Sequence, residues 1–402
     1  MKYYCPSKSK IKINQYKSLN NYSELLQKIN DYTKDEASLY CPFDKINIQK
    51  IIQLSKKYSF AKNVILIGIG GSSLGTLAIA QALKVKKNLI VFDTLSSLDI
   101  EQLKICKSTY TDKNTVIIIV SKSGSTTETI VNAQVVLQTL PKLKKNTVFI
   151  TDENSKICNL AKSLNNDIIF IPKKVGGRFS VFSPVGVFPL AILGVNIKEL
   201  IKGARDSIKT NTKINSPAYL NSINIYNKTK LNNLVNNYFL FNKSLETLGK
   251  WVVQLESESL GKDKKGYLTN FSIGSNDLHS VYQLYLEGGL NIYTNFVNTN
   301  FDSKLKTNKS IIFKNLIEDI EGKSVKNIFD SIYLGVKKSY TKNNMPFAEF
   351  NLKINEYEIA YLMQTLMIQT MYLGKLIGVN AYNQPGVEFY KEETRKILKK
   401  SS

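Results

Sequence analysis

Residues 115–120, Thr-Val-Ile-Ile-Ile-Val, form an almost wholly apolar, mostly β-branched run. Such a run fits a strand covered on both faces. Shorter runs of the same character lie at 64–68, 89–93, 147–151 and 167–171. Helix-forming stretches separate them, Leu77 to Leu83 being the plainest. Strands that alternate with helices form a parallel, doubly wound sheet with helices on both faces. The fold class is therefore α/β.

The second half is less regular. Residues 231–240, 290–297 and 346–352 read as strands. A long helix is expected from 356 to about 377. Its stripe of Ile359, Leu362, Met363, Leu366, Met367 and Met371 has the spacing of a core face. Residues 1–47 are polar and mixed, and read as helices and loops over the first domain. The polar stretch 210–217 reads as a linker. With 402 residues, the chain has room for two domains. The expected division is an N-terminal segment (1–47), a first domain (48–205), a second (218–380), and a C-terminal loop and helix (381–402).

The formal charge is +23. The lysines are scattered (Lys84, Lys86, Lys87; Lys142, Lys144, Lys145; Lys173, Lys174) rather than gathered on one arm, so no nucleic-acid partner is expected. A positive field still favours an anionic small substrate. The four cysteines form no CxxC pair, and one histidine cannot complete a zinc site with them. They read as free thiols in a reducing cytoplasm. No metal and no cofactor is expected. The longest weakly charged run, 179–195, carries Pro184 and Pro189 and is short for a membrane span. It reads as a buried segment, and no membrane partner is expected.

Two turns carry chemistry. Gly68-Ile69-Gly70-Gly71-Ser72-Ser73-Leu74-Gly75 follows the first strand and opens a helix, where unpaired N–H groups can meet an anion. A dinucleotide fingerprint needs glycine where Ser73 stands, and a P-loop needs Gly-Lys-Ser/Thr where Gly75-Thr76-Leu77 stands. A plain strand–helix turn would also need these glycines. Ser121-Lys122-Ser123-Gly124-Ser125-Thr126-Thr127-Glu128-Thr129 follows the third strand with six hydroxyls and a lysine. Helix capping needs one hydroxyl, not six. The cluster suits a phosphate dianion. Further on, Gln254 to Lys262 ends a helix with carboxylates, Gly261 and a cation. By itself that is an ordinary helix terminus.

Six separated blocks, taken in order, resemble the glucose-6-phosphate isomerase (phosphoglucose isomerase) family. They are 67–75, 121–129, 175–186 with its Gly176-Gly177-Arg178, 258–262 (Glu-Ser-Leu-Gly-Lys), 274–280 with the only histidine, His279, and 382–391 (Tyr-Asn-Gln-Pro-Gly-Val-Glu-Phe-Tyr-Lys). The resemblance spans about 64–395. It implies two sugar-isomerase domains, each a three-layer αβα sandwich with a parallel-dominated sheet, and a C-terminal helix. It implies interconversion of glucose 6-phosphate and fructose 6-phosphate without metal or nucleotide, in glycolysis and gluconeogenesis. It puts the phosphate on the loop Ser121, Lys122, Ser123, Gly124, Ser125 and Thr126, and the sugar near Gly71, Ser72, Gln254 and Gln384. Glu258 matches the base and Arg178 the group beside the developing oxyanion. His279 and Lys391 match the ring-opening pair. It also implies a homodimer with His279 contributed across the interface. Lys173, Leu260 and Asn383 depart from the family's usual residues. Two alternatives stand beside this reading. One is a dual phosphoglucose/phosphomannose isomerase. The other is a non-enzymatic phosphosugar-binding regulator, for which no helix-turn-helix segment is visible.

Overall fold

A computed structural model describes residues 1–6, 11–95, 97–231, 233–300, 303–307, 316 and 319–400. In chain order the elements begin with β1 (Lys2–Tyr4), α1 (Lys17–Gln27), α2 (Lys45–Lys57), β2 (Asn63–Ile67), α3 (Leu74–Leu83), β3 (Asn88–Phe92) and α4 (Ser97–Ile105). There follow β4 (Thr115–Ser121), α5 (Thr127–Thr139), β5 (Thr147–Thr151), α6 (Lys156–Ser163), β6 (Asp167–Phe170) and α7 (Pro184–Ile192). Two helices, α8 (Ile197–Asn211) and α9 (Pro217–Thr229), lead to β7 (Val235–Phe241), α10 (Glu246–Leu260), β8 (Leu268–Ile273) and α11 (Tyr282–Glu287). The chain closes with β9 (Ile292–Asn300), α12 (Val325–Lys342), β10 (Phe347–Lys353), α13 (Glu356–Ile377) and α14 (Gly386–Lys400).

The first sheet has strand order β3-β2-β4-β5-β6, all parallel. β2, β4 and β5 are buried at every position, which is why their sequences carry no polar alternation. The second sheet has order β1-β10-β9-β7-β8. Its strands are parallel except β1, which runs antiparallel to β10. The parallel-dominated α/β class is as expected.

Some elements depart from expectation. The N-terminal stretch is not only helices and loops over the first sheet, because β1 forms the edge of the second. A three-residue, half-exposed strand is too short for its periodicity to show. β8 was not foreseen, and β7 begins at Val235 rather than 231. The strands of this sheet hold buried asparagines that mask an apolar pattern. Asn236, Asn237 and Asn295 are buried. Asn295 Nδ2 donates to Asn236 Oδ1 (2.7 Å), and Asn221 Nδ2 donates to Asn295 Oδ1 (2.8 Å). Pairing makes such burial tolerable.

The polar stretch 210–217, which joins α8 to α9, is partly buried. Asn211, Thr212 and Ser216 are buried, and Asn211 Nδ2 donates to Thr365 Oγ1 of α13 (3.0 Å). One core joins the sheets: Leu66, Ile118 and Ile150 belong to the same apolar cluster as Tyr238, Leu240, Val297 and Phe350. α13 lies within this core and is buried almost all round, including Gln364, Thr365, Gln369 and Thr370, so the expected stripe is only one of its buried faces. The run 179–195 is a buried segment around α7, with Ser183 capping and Pro184 in the first turn.

Candidate active site

In the first sheet the chain leaves β2 for β3 on one side and returns to β4 on the other. The turns after β2 and β4 therefore lie side by side at the switch of strand order, outside the carboxyl ends of the strands. That is where open α/β sheets take ligands. Helices α6 to α9 each begin with a side chain accepting from their first turn. Helices α3 and α5, which open from these two turns, have no such cap bond. Their first N–H groups remain available to an anion.

In the hydroxyl loop, Ser121 Oγ donates to Thr126 Oγ1 (3.3 Å) and accepts from the Gly124 N–H (3.1 Å). Ser125 Oγ donates to Ser123 Oγ (3.3 Å). Gly124 has φ +65, and a Cβ there would lie 2.7 Å from Ser155 Cβ. Only glycine suits both demands. Ser123 and Ser125 are exposed, whereas Thr129 is buried and faces inward. Lys122 is placed differently from a simple phosphate ligand. Its ammonium donates to the carbonyls of Lys173 (2.6 Å) and Val175 (2.9 Å). It therefore ties the loop to the segment leading to Arg178. Burial lowers its pKa from the ordinary value.

The turn after β2 packs on the Gly176-Gly177-Arg178 turn. A Cβ on Gly71 would clash with the Gly177 carbonyl group and lie 2.6 Å from the Arg178 nitrogen. Ser180 Oγ donates to the Gly71 carbonyl at 3.2 Å. Gly70 has φ +57, and a Cβ there would lie 2.7 Å from Gln254 Nε2. Ser72 is half-buried in the same turn. The glycines thus bring the first sheet's loop against both Arg178 and α10.

Arg178 is the hub, its side chain only 2% exposed. All five of its N–H donors are used. Nε donates to Ser259 Oγ (2.7 Å), and Nη1 to Glu258 Oε2 (3.3 Å) and Gln384 Oε1 (2.6 Å). Nη2 donates to the carbonyls of Ala381 (2.6 Å) and Asn383 (3.0 Å). Burial lowers the guanidinium's pKa from its ordinary value, with Glu258 opposing. Glu258, on the last turn of α10, keeps 28% of its side chain exposed. Its other oxygen, Oε1, accepts from Gln254 Nε2 at 2.9 Å, one helical turn earlier. Four distant segments thus meet around Arg178: the Gly70–Gly71 turn, the Arg178 turn itself, α10 and the 380–384 segment.

Among the described residues, His279 and Lys391 make no hydrogen bond or ion pair with this cluster. His279 is exposed on a short turn after β8 (Asn276–His279) and has no hydrogen bond or ion pair among the described residues. Lys391 lies on α14, paired with Glu388 at 2.7 Å. The sequence reading also passed over Ser259 and Lys262, which hold Arg178 and the 380–384 segment. Their place inside the Glu258–Lys262 block was the one available signal.

Comparison with known proteins bears on the family and the fold. A profile of the family described as Phosphoglucose isomerase matches residues 53–402. Glucose-6-phosphate isomerase of Methanocaldococcus jannaschii is 33% identical over 395 residues, covering 96% of this chain and 95% of that protein. The solved structure of a hypothetical protein from Thermus thermophilus superposes with a TM-score of 0.89 at 27% identity, covering 98% of this chain and 97% of that one. A glucose-6-phosphate isomerase from Chlamydia trachomatis shares the fold, with a TM-score of 0.77 at 18% identity, over 95% of this chain and 78% of that one. The order of the six blocks, the meeting of four of them around Arg178, and a profile match over most of the length have one reading: the chain belongs to the phosphoglucose isomerase family.

Proposed function

We propose that this chain interconverts glucose 6-phosphate and fructose 6-phosphate by proton transfer through an enediolate. The observation that carries this reading is the partly exposed Glu258 carboxylate held against the buried Arg178 guanidinium, in a fold with two uncapped helix N-termini at the switch of strand order. The phosphate sits on the hydroxyls of Ser121, Ser123 and Thr126 and on first-turn N–H groups of α5. Gly124 and Ser125 shape the loop, and Lys122 supports it from behind. Gly71, Ser72, Gln254 and Gln384 line the sugar.

Moving the carbonyl from C1 to C2 takes a proton from C2 and returns one to C1. Glu258, lying over both carbons, does both. The negative charge that develops on oxygen meets Arg178, whose donors are already fixed and need no reorganisation. Ring opening requires a proton delivered to the ring oxygen and one removed from the C1 hydroxyl. His279 and Lys391 take these roles. The exposure of His279 outside its own chain's cluster favours a homodimer in which each histidine serves the partner's site. The four cysteines are free thiols, which suits a reducing cytoplasm.

The test is a coupled assay of fructose 6-phosphate conversion, with mannose 6-phosphate in parallel, for the wild type and E258Q. The wild type should turn over the first substrate, and E258Q should bind it but not isomerise it. In heavy water, deuterium should enter C2 of recovered glucose 6-phosphate. An E258Q enzyme that turns over normally, or complete absence of exchange under prolonged turnover, would remove Glu258 as the proton carrier.

A further inference from the structure

We propose that Lys262 is a positioning residue for the isomerisation, one of two cations that staple the 380–384 segment in place beside Glu258. This rests on the isomerase reading above. Lys262 follows α10 directly after Gly261. Its Nζ donates to the Ser259 carbonyl (2.8 Å) and to the Asn380 carbonyl (2.6 Å), across 118 residues of sequence. The first contact alone would be an ordinary cap on the carbonyl end of a helix. The second has another consequence. Arg178 holds the carbonyls of Ala381 and Asn383 and the side chain of Gln384. Three of four consecutive carbonyls therefore accept from two cations, both anchored at Ser259: Arg178 through its hydroxyl, Lys262 through its carbonyl.

The held segment has no strand or helix bonds of its own. Within it, Asn380 Oδ1 accepts from the N–H groups of Tyr382 (2.8 Å) and Asn383 (3.3 Å), and the Tyr382 ring packs on Phe179 with its hydroxyl 2.8 Å from that of Tyr22. It carries Gln384 and leads into α14, where Lys391 sits. α14 itself is exposed along nearly its whole length, so its start is held through the 380–384 segment, where the staple acts beside the Tyr382 contacts. The charged groups facing Lys262 are Arg178, Glu258 and Asp263. Burial, then Arg178, bring its pKa down to about 8. The ammonium is thus charged at neutral pH and loses its charge in mildly alkaline solution.

The experiment compares K262M and K262R with the wild type by amide hydrogen exchange and steady-state kinetics. In K262M, peptides covering 380–390 should exchange at least about tenfold faster while those within α10 stay protected. Displacement of Gln384 and Lys391 should lower kcat by about tenfold or more. K262R should restore slow exchange and most of kcat, and should move the alkaline limb of kcat upward. A folded K262M with unchanged exchange across 380–390, or with wild-type kcat, overturns the proposal. If K262M does not fold, K262Q is read by the same criteria. Exchange does not depend on which sugar is turned over. An enzyme inactive on fructose 6-phosphate would sink the isomerase reading, and the exchange result would still decide the staple.

Discussion

Arg178 makes five hydrogen bonds with five donors, so its geometry is set by the whole constellation rather than by one partner. R178K keeps a charge but not the fork. Its kcat on glucose 6-phosphate should fall by about a hundredfold or more, as when a fixed oxyanion donor is lost. A loss under threefold would show that Arg178 acts only as a structural bridge. Glu256, two residues before the base, behaves differently. Its carboxyl accepts from Tyr238 (2.6 Å), Asn236 (2.8 Å), Thr269 (2.9 Å) and Tyr267 (3.3 Å), and it is 1% exposed. Burial pushes its pKa above the ordinary carboxylate range, with these hydrogen bonds opposing. A folded-state pKa above the unfolded one means that the native state holds a proton the unfolded chain has lost. Stability from this group therefore falls as pH rises upward from about 4.5. E256Q does not titrate there. Urea unfolding at several pH values should show the wild type losing stability relative to E256Q as pH rises, and a constant difference would contradict the sign.

At the scale of elements, the loop between β4 and α5 combines one buried hydroxyl, Ser121, with the more exposed Ser123 and Thr126 at the mouth of a helix. Each charge-assisted bond lost from it should cost about 1.5–3 kcal/mol. S123A combined with T126A should raise KM for fructose 6-phosphate strongly, with less effect on unfolding. An unchanged KM would put the phosphate elsewhere. The turn after β2 can be probed by G71A. The added methyl has no room against the Gly177–Arg178 backbone, so the two turns must separate. Its kcat should drop by at least about tenfold, because small displacements near reacting groups are costly. Wild-type kinetics in G71A would mean that the approach of the turns is dispensable.

For the whole molecule, the decisive prediction concerns His279, which stands exposed on the turn after β8. E258Q and H279A chains, purified apart, should each be nearly inactive on cyclic substrate. If the histidine crosses a dimer interface, a mixed dimer has one site with both defects and one with neither. Refolding the two together should then restore activity, at most one good site per heterodimer, above the background set by spontaneous ring opening. Verified heterodimers without recovery would place His279 in its own chain's site.

The first sheet was legible because β2, β4 and β5 are buried on both faces, and burial on both faces leaves an apolar run with no polar alternation. The hydroxyl loop and the glycine turn were legible because helix N-termini and positive φ restrict residue choice locally. The second sheet was only partly legible. Its buried Asn236 and Asn295 are stabilised by partners far away in sequence, which no local pattern records. β1 could not be read at all, since three residues beside β10 gain their pairing only from the fold. The blocks containing Arg178, Glu258 and Gln384 were visible singly. That one guanidinium joins all three, and that Lys262 joins α10 to Asn380, was decided by tertiary structure. Those hydrogen bonds span from 80 to more than 200 residues of sequence, and only packing of one core between two sheets brings their ends together.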